Sequence, residues 1–149
     1  MDVLDHDQRH RNMAAIKSKN TKPELIVRHY LWGCGFRYSL HNPKLPGHPD
    51  LVLRKYRTCI FINGCFWHGH KGCKYFKLPE TNKDFWEKKI ERNVVRDQEE
   101  QQQLAKMGWY CITVWECELK KDNREKTLES VVHALRQHLK DRQHKTQNP

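Results

Sequence analysis

The chain has 149 residues, enough for one domain with a hydrophobic core of its own. Its 28 lysines and arginines against 18 aspartates and glutamates give a formal net charge of +10, which favours a polyanionic partner, with an acidic membrane surface as the alternative. No stretch approaches the roughly 18 apolar residues of a spanning helix, and the charged start, MDVLDHDQRH, does not resemble a secretory signal peptide. The six cysteines are therefore expected to be reduced, inside a cell.

Helices and strands alternate along the chain. Thr21 and Glu24 have the spacing of a capping box, which predicts a helix that begins at Thr21 and ends at the glycines 33 and 35. Strands are predicted at 36–40, 51–53, 58–62 and 109–115, the last two of them buried, and further helices at 84–107 and 128–139. This order predicts an α/β fold with a mixed central sheet and helices on both faces. The predicted segments are a basic arm (1–20), a single domain (21–141) and a polar tail (142–149).

One short segment, FINGCFWHGHKGC, combines cysteines and histidines directly after a predicted buried strand. Cys65, His70 and Cys73 form C-x4-H-x2-C, three ligands that can close around one tetrahedral ion. Cys117 is the best fourth ligand, because the strands before Cys65 and Cys117 can lie side by side and deliver both to one end of the sheet. The pattern predicts a closed, structural zinc site, with a metal-free loop as the alternative. The other cysteines, Cys34, Cys59 and Cys111, are predicted to be buried fillers.

The residues between the predicted zinc ligands have other chemistry. A loop fixed at both ends would hold Phe66, Trp67 and His68 outward, and rigid exposed aromatics on a basic protein favour insertion between bases. The alternative is that the two aromatic rings cover the core beside the metal. Asp50, at the start of a strand, is either a turn residue or a carboxylate for a hard cation that activates water on a phosphodiester. His68 could then serve as general base, and Glu24 could assist.

Five segments in this order resemble the very-short-patch repair (Vsr) endonucleases, the strand-specific mismatch nickases of bacteria. They are RNMAAIKSKNTKPE (11–24), LPGHPDLV (45–52), FINGCFWHGH (61–70), FWEKKIERNVVRD (85–97) and GWYCITVWECEL (108–119). The resemblance implies a restriction-endonuclease-like fold and a Mg²⁺-dependent nick in duplex DNA on the 5′ side of the thymine in a T·G mismatch, which arises when 5-methylcytosine deaminates. It also implies a monomer in the bacterial cytoplasm, associated with the nucleoid. Contacts with other mismatch-repair proteins and the flanking recognition sequence are left open.

The resemblance further implies roles for single residues. Asp50 would bind Mg²⁺ together with the backbone carbonyl of Ile62, His68 would be a catalytic histidine, and Glu24 an assisting acid. The four cysteine and histidine ligands named above would bind the structural zinc.

A third set would contact DNA. Phe66, Trp67 and Trp86 would be an aromatic wedge beside the mismatch, Met13 and Ile16 of the arm would press on it from the minor groove, and Lys89 and Asn93 would contact the mismatched pair. The i, i+3, i+7 spacing of Trp86, Lys89 and Asn93 independently places them on one helix face, beside Ile90 and Val94, which can pack against the sheet. A merely solvated charged face would account poorly for Trp86.

The chain departs from the family pattern at two positions, where Ile62 and Asn63 replace a threonine and a histidine. The carbonyl of Ile62 can still bind a cation, but Asn63 can only hydrogen-bond a phosphate or a water and cannot transfer a proton near neutral pH. Slower turnover or broader substrate choice is therefore expected. Two alternatives remain at this stage: a restriction-type endonuclease or nickase of the same fold without mismatch preference, and a zinc-stabilised, non-catalytic DNA-binding module.

Overall fold

The computed structural model describes residues 20–147, so the basic arm with Met13 and Ile16 lies outside the described residues. The elements are α1 (Lys22–Gly33), β1 (Ser39–Leu40), β2 (Leu51–Leu53), β3 (Thr58–Asn63), α2 (Lys83–Lys106), β4 (Tyr110–Trp115), a 3₁₀ helix (Glu116–Leu119) and α3 (Arg124–Gln147). Every predicted element is present. The first predicted strand is reduced to the two residues of β1, and α3 continues through most of the segment expected to be a polar tail. None of the helices between residues 20 and 147 is long and apolar enough to cross a membrane.

The four strands form one mixed sheet in the order β1-β2-β3-β4. β2 pairs antiparallel with both β1 and β3, whereas β3 and β4 run parallel and are joined by a crossover that contains α2. Asn63 at the end of β3 pairs with Trp115 at the end of β4. Because both strands end at the same edge, the segments that follow them lie side by side, and this edge carries the chemistry described below.

Helices cover both faces of the sheet, as predicted. Along β2, Leu51 and Leu53 point into the larger core and Val52 into the smaller one, as the alternation of a strand requires. The larger core holds residues of α1 and α3, namely Val27, Leu31, Leu128, Val131, Val132 and Leu135. The smaller core is closed by Leu104 of α2 and by Trp109. The α/β fold with a mixed sheet between helices is therefore confirmed.

Two predictions about burial need correction. Of the three cysteines predicted to be buried, Cys59 is buried and Cys111 half-buried, but Cys34 is exposed because it follows the last turn of α1. The last strand was predicted to be buried, but β4 is the edge strand, and only Val114 in it is fully buried. A sequence pattern of apolar residues does not distinguish an edge strand with one covered face from a central strand.

Candidate functional site

An open cleft with a volume of about 1710 Å³ lies at the end of β3, beside the start of α1 and the middle of α2. Its lining includes nine of the residues predicted to be functional: Glu24, Asp50, Ile62, Asn63, Phe66, Trp67, His68, Lys89 and Asn93. The structure thus brings residues from four separate segments of the sequence to one surface.

Asp50 stands at the entry of β2, next to the end of β3. Its Oδ2 accepts a hydrogen bond of 2.7 Å from the backbone N–H of Ile62. Burial raises the pKa of the Asp50 carboxyl to about 6 and the Glu24 carboxylate adds to this, while the Ile62 N–H, His41 and His68 act in the opposite direction. In a strand, a residue's N–H and C=O face the same neighbour. The Ile62 carbonyl therefore faces the side on which Asp50 lies.

Glu24 is buried, with 2% of its surface exposed, and both of its carboxylate oxygens are engaged. His41 Nε2 lies 2.8 Å from Oε1, and Arg28 donates to Oε2 at 3.1 Å. The predicted capping box is therefore only half formed: Thr21 accepts from the Glu24 N–H at 3.4 Å, but the Glu24 side chain turns towards the cleft instead of back to the cap.

His41 joins the two acids, although no sequence motif pointed to it. One ligand atom each from Glu24, His41 and Asp50 lies within 4.8 Å of the others, so this group could hold a metal ion. His41 directly follows β1, and because Leu40 pairs with Leu51, residue 41 comes to lie opposite residue 50. Treating strands 36–40 and 51–53 as a hairpin would have brought His41 near Asp50, but the register that sets the two opposite each other is known only from the structure.

His68 forms a close pair with Asp97 of α2. His68 Nδ1 lies 2.6 Å from Asp97 Oδ2, and each side chain is about a quarter exposed, at 27% and 24%. A carboxylate on Nδ1 fixes the ring orientation and leaves Nε2 to act on a bound substrate. No sequence pattern assigned Asp97 a role, although it lies one turn after Asn93 on the helix face of Trp86 and Lys89.

The four predicted zinc ligands converge beside the cleft. The ligand atoms of Cys65, His70, Cys73 and Cys117 all lie within 4.8 Å of one another, and Cys117 Sγ is 3.5 Å from His70 Nδ1. Zinc bonds of about 2.0–2.3 Å in a tetrahedron separate the ligand atoms by about 3.5–3.8 Å. The three sulfurs and one nitrogen are close enough together to fit a closed tetrahedral site, so the cluster could hold a metal ion.

The chemistry of this cluster favours a cation. Burial raises the pKa of the Cys65 thiol to about 12, so a positive charge is needed to keep it as a thiolate. The His70 ring stacks on Trp115, with ring centroids 4.0 Å apart and planes 4° from parallel, which fixes its orientation. Cys117 comes from the 3₁₀ helix after β4, and the parallel pairing of β3 and β4 brings it to the loop that carries the other three.

The aromatic residues form a packed group at the rim of the cleft. Phe66 and Trp67 are half-buried, with centroids 5.0 Å apart, and Trp86 packs edge-on against them at 5.6 and 5.8 Å. Lys89 Nζ lies 5.8 Å from the Trp86 ring. The rings are neither sealed in the core nor fully exposed: they support one another while Phe66 and Trp67 face the cleft.

Helix α2 holds this loop in place. Asn93 Nδ2 donates to the Trp67 carbonyl at 2.9 Å. Gly69 has φ +61°, and a Cβ there would lie 2.8 Å from Val94 and 2.9 Å from Ile90, so only glycine fits without displacement. The apolar pair Ile90 and Val94, predicted to pack against the sheet, packs against the loop at Gly69. Helix α2 thus supports the loop that carries the cysteine–histidine cluster, and Leu104 near its end closes the smaller core.

Comparison with known proteins finds a matching family and several relatives. A family model described as DNA mismatch endonuclease Vsr matches residues 1–74. The type II nicking enzyme V.XorIIP of Xanthomonas oryzae is 46% identical over 118 residues, which is 79% of this chain and 86% of the relative. The type II nicking enzyme V.NmeAIP of Neisseria meningitidis is 46% identical over 119 residues, 80% of this chain and 84% of the relative.

The DNA mismatch endonuclease Vsr of Escherichia coli K12 is 40% identical over 131 residues, 88% of this chain and 82% of the relative. Identity at this level over most of both chains confirms the resemblance seen in the motifs. The chain belongs to the Vsr family of DNA mismatch endonucleases.

Proposed function

We propose that this protein nicks duplex DNA on the 5′ side of the thymine in a T·G mismatch, in a reaction that requires Mg²⁺. One observation carries the proposal: Asp50 and His68 line the same cleft as Phe66 and Trp67. An acidic site suited to phosphodiester hydrolysis and an aromatic surface suited to distorted DNA therefore open onto one space. The relatives are named mismatch endonuclease and nicking enzyme, and these names support both the cleavage of DNA and the preference for a mismatch.

The acidic group fits a hard cation. Asp50 and the Ile62 carbonyl would hold Mg²⁺, with Glu24 and His41 beside them, since oxygen donors are the ligands that Mg²⁺ prefers. When bound, Mg²⁺ stabilises the negative charge that develops on the phosphate during cleavage. His41 and Arg28 fix the Glu24 carboxylate in its orientation.

The protein supplies the remaining groups. His68 takes the proton of the attacking water through Nε2, while Asp97 on Nδ1 orients the ring and stabilises its positive charge. Asn63 is buried at 6% exposure and lines the cleft, where it hydrogen-bonds the phosphate or the water. Because Asn63 cannot transfer a proton, one acid–base group of the family pattern is missing, and such groups contribute about 10²–10⁴-fold.

The aromatic group recognises the mismatch by its weak stacking. Phe66, Trp67 and Trp86 enter the duplex beside the T·G pair, and Met13 and Ile16 of the arm press from the minor groove. Unstacking a base step costs a few kcal/mol, and a wobble pair lowers this cost. Lys89 and Asn93 face the same space, so they contact the mismatched pair, and Asn93 also holds Trp67 in place. Cys65, His70, Cys73 and Cys117 would hold Zn²⁺, which would keep the loop rigid.

We expect T·G duplexes to be nicked at least about tenfold faster than T·A duplexes of the same sequence, because a mismatched pair is worth about 1–3 kcal/mol of discrimination. The measurement is a single-turnover assay on strand-labelled duplexes in several sequence contexts, with and without Mg²⁺. Equal rates on T·G and T·A would favour a nickase of the same fold without mismatch preference. Binding without any cleavage would favour a non-catalytic DNA-binding module.

Asp97→Asn is expected to lower the single-turnover nicking rate by about 10²-fold with little change in duplex binding, because His68 loses its orienting carboxylate. Asp97→Glu should recover part of the rate, since its carboxylate can still accept from Nδ1. Asp84→Asn, in the exposed first turn of the same helix, is the control and should nick at the normal rate. Full activity of Asp97→Asn would remove the pair from the mechanism.

The Mg²⁺ requirement should depend on pH. Because the raised pKa of Asp50 lies at about 6, the carboxyl is protonated below that pH and cannot bind a cation. The Mg²⁺ concentration that gives half-maximal nicking should therefore rise as the pH falls from about 7 to about 5.5 and stay level above about 7. Titrations of Mg²⁺ at several pH values measure this, and a requirement that does not change across the range would contradict it.

A further inference from the structure

A second depression lies beside α1, next to the cleft. It has a volume of about 580 Å³ and is called the flank pocket below; its lining is Arg28, His29, Trp32, Gly33, Tyr38 and Leu40. Trp32 is 51% exposed, an unusual position for the largest apolar side chain. Nothing in the proposed cleavage mechanism uses this residue.

The exposed indole is held in a fixed orientation. The Arg37 guanidinium lies 3.6 Å from the Trp32 ring centroid and donates to the carbonyls of Phe36 and Trp32 at 2.9 and 3.2 Å. The Tyr38 ring packs edge-on against Trp32 with centroids 5.8 Å apart, and its hydroxyl donates to the Arg28 carbonyl at 2.9 Å. A rigid aromatic surface surrounded by cationic side chains loses little entropy on binding an anionic partner.

The flank pocket lies next to the cleft. Glu24, Arg28 and Trp32 follow one another at i, i+4 and i+8 on the same side of α1, and Arg28 contacts Glu24 directly. Leu40 lines the flank pocket and the next residue, His41, lines the cleft. With a rise of about 1.5 Å per residue, Trp32 lies about 12 Å beyond Glu24. Each DNA strand carries one phosphate per about 3.4 Å of the duplex axis, so this distance, measured along that axis, spans three to four nucleotides.

We propose that the flank pocket binds the sugar–phosphate backbone of the DNA about three to four nucleotides from the cleaved phosphate; this inference rests on the proposed function. The Arg37 guanidinium beside Trp32 neutralises phosphate charge, His29 hydrogen-bonds a phosphate oxygen, and the Trp32 indole packs against a deoxyribose. Such contacts position the duplex and do not depend on sequence. They would hold the phosphate over Asp50 whichever bases flank the mismatch.

The test is equilibrium binding in Mg²⁺-free buffer to T·G duplexes that end about two or about ten base pairs from the thymine, on each side in turn. On one side the longer flank should raise affinity about tenfold. Trp32→Ala should abolish this gain and leave affinity for the short duplex unchanged, and Trp32→Phe should retain part of it. Arg37→Gln should reduce the slope of log affinity against log salt by about one.

Tyr110→Ala is the matched control. Tyr110 is also an exposed, stacked aromatic (41% exposed, 4.5 Å from His138), but it begins β4, at the end of the sheet away from the cleft. It should behave as the unaltered protein. The proposal is overturned if Trp32→Ala weakens short and long duplexes equally, which would mean a structural role, or if it changes neither, which would leave the pocket to a protein partner. Absence of nicking by the unaltered protein would instead refute the proposed function, since the binding measurement needs no cleavage.

Discussion

Asp50→Asn is expected to reduce the single-turnover nicking rate of T·G duplexes at least about 10³-fold. The loss corresponds to about 4 kcal/mol of stabilisation of the charge that develops on the phosphate, in the range expected for loss of a catalytic cation. The asparagine oxygen can still accept the Ile62 N–H, so the local backbone is kept. Removing a carboxylate whose pKa burial raises to about 6 also removes a charge that is costly to keep beside Glu24.

Folding and DNA binding should therefore survive this substitution, and both are measured with it. We expect a melting temperature in Mg²⁺-free buffer that is unchanged or higher, and an affinity for the T·G duplex that is unchanged or higher. Asp122→Asn, at an exposed turn before α3, is the matched control and should have normal activity. Normal nicking by Asp50→Asn would place the catalytic centre elsewhere in the protein.

Cys117→Ser is expected to have the largest effect on stability. A purified protein should contain one zinc ion per chain, and the substitution should bring this content well below one. Structural zinc contributes folding free energy directly, so losing about 3 kcal/mol of it would lower the melting temperature by about 10 °C. The nicking rate should fall at least about 10²-fold, because the loop that carries Phe66, Trp67 and His68 loses one of its anchors.

Cys34→Ser provides the control for this change, because Cys34 is exposed and distant in sequence from the cluster. It should retain zinc, melting temperature and activity. Slow removal of the metal by a chelator should reproduce the effects of Cys117→Ser on the unaltered protein. A zinc-free protein with the same melting temperature and activity would show that the four ligands do not support the loop through a metal.

The cysteine–histidine cluster could be predicted from the sequence because its chemistry is mostly local. Cys65, His70 and Cys73 lie within nine residues, and only Cys117 had to be placed by folding. A single assumption, that the strands 58–62 and 109–115 lie side by side, was enough for that. The pairing of β3 and β4 is parallel and joins their ends, so the assumption holds.

The contacts of Glu24 with His41 and of His68 with Asp97 could not be predicted in the same way. His41 reaches Glu24 because β1 and β2 pair in one particular register, and Asp97 reaches His68 because the loop packs against α2 at Gly69. Both contacts span 17 or more residues and depend on side-chain direction, which apolar periodicity does not give. Glu24 is the clearest case. The local sequence predicts a capping box, but in the structure the Glu24 carboxylate contacts His41 and Arg28 instead of the cap.

The proposed function requires that Phe66, Trp67 and Trp86 enter the duplex at the same base step whose phosphate is cleaved beside Asp50. A duplex library tests this requirement directly. It carries one T·G pair at a fixed position and about four randomised base pairs on each side, so that the flanking sequence varies. Sequencing the nicked ends gives the cut position in every context. The ends are expected to lie at the phosphate 5′ of the mismatched thymine whatever the flanks, and a matched T·A library is expected to give few ends. Ends whose position follows the flanking sequence and ignores the mismatch would contradict it.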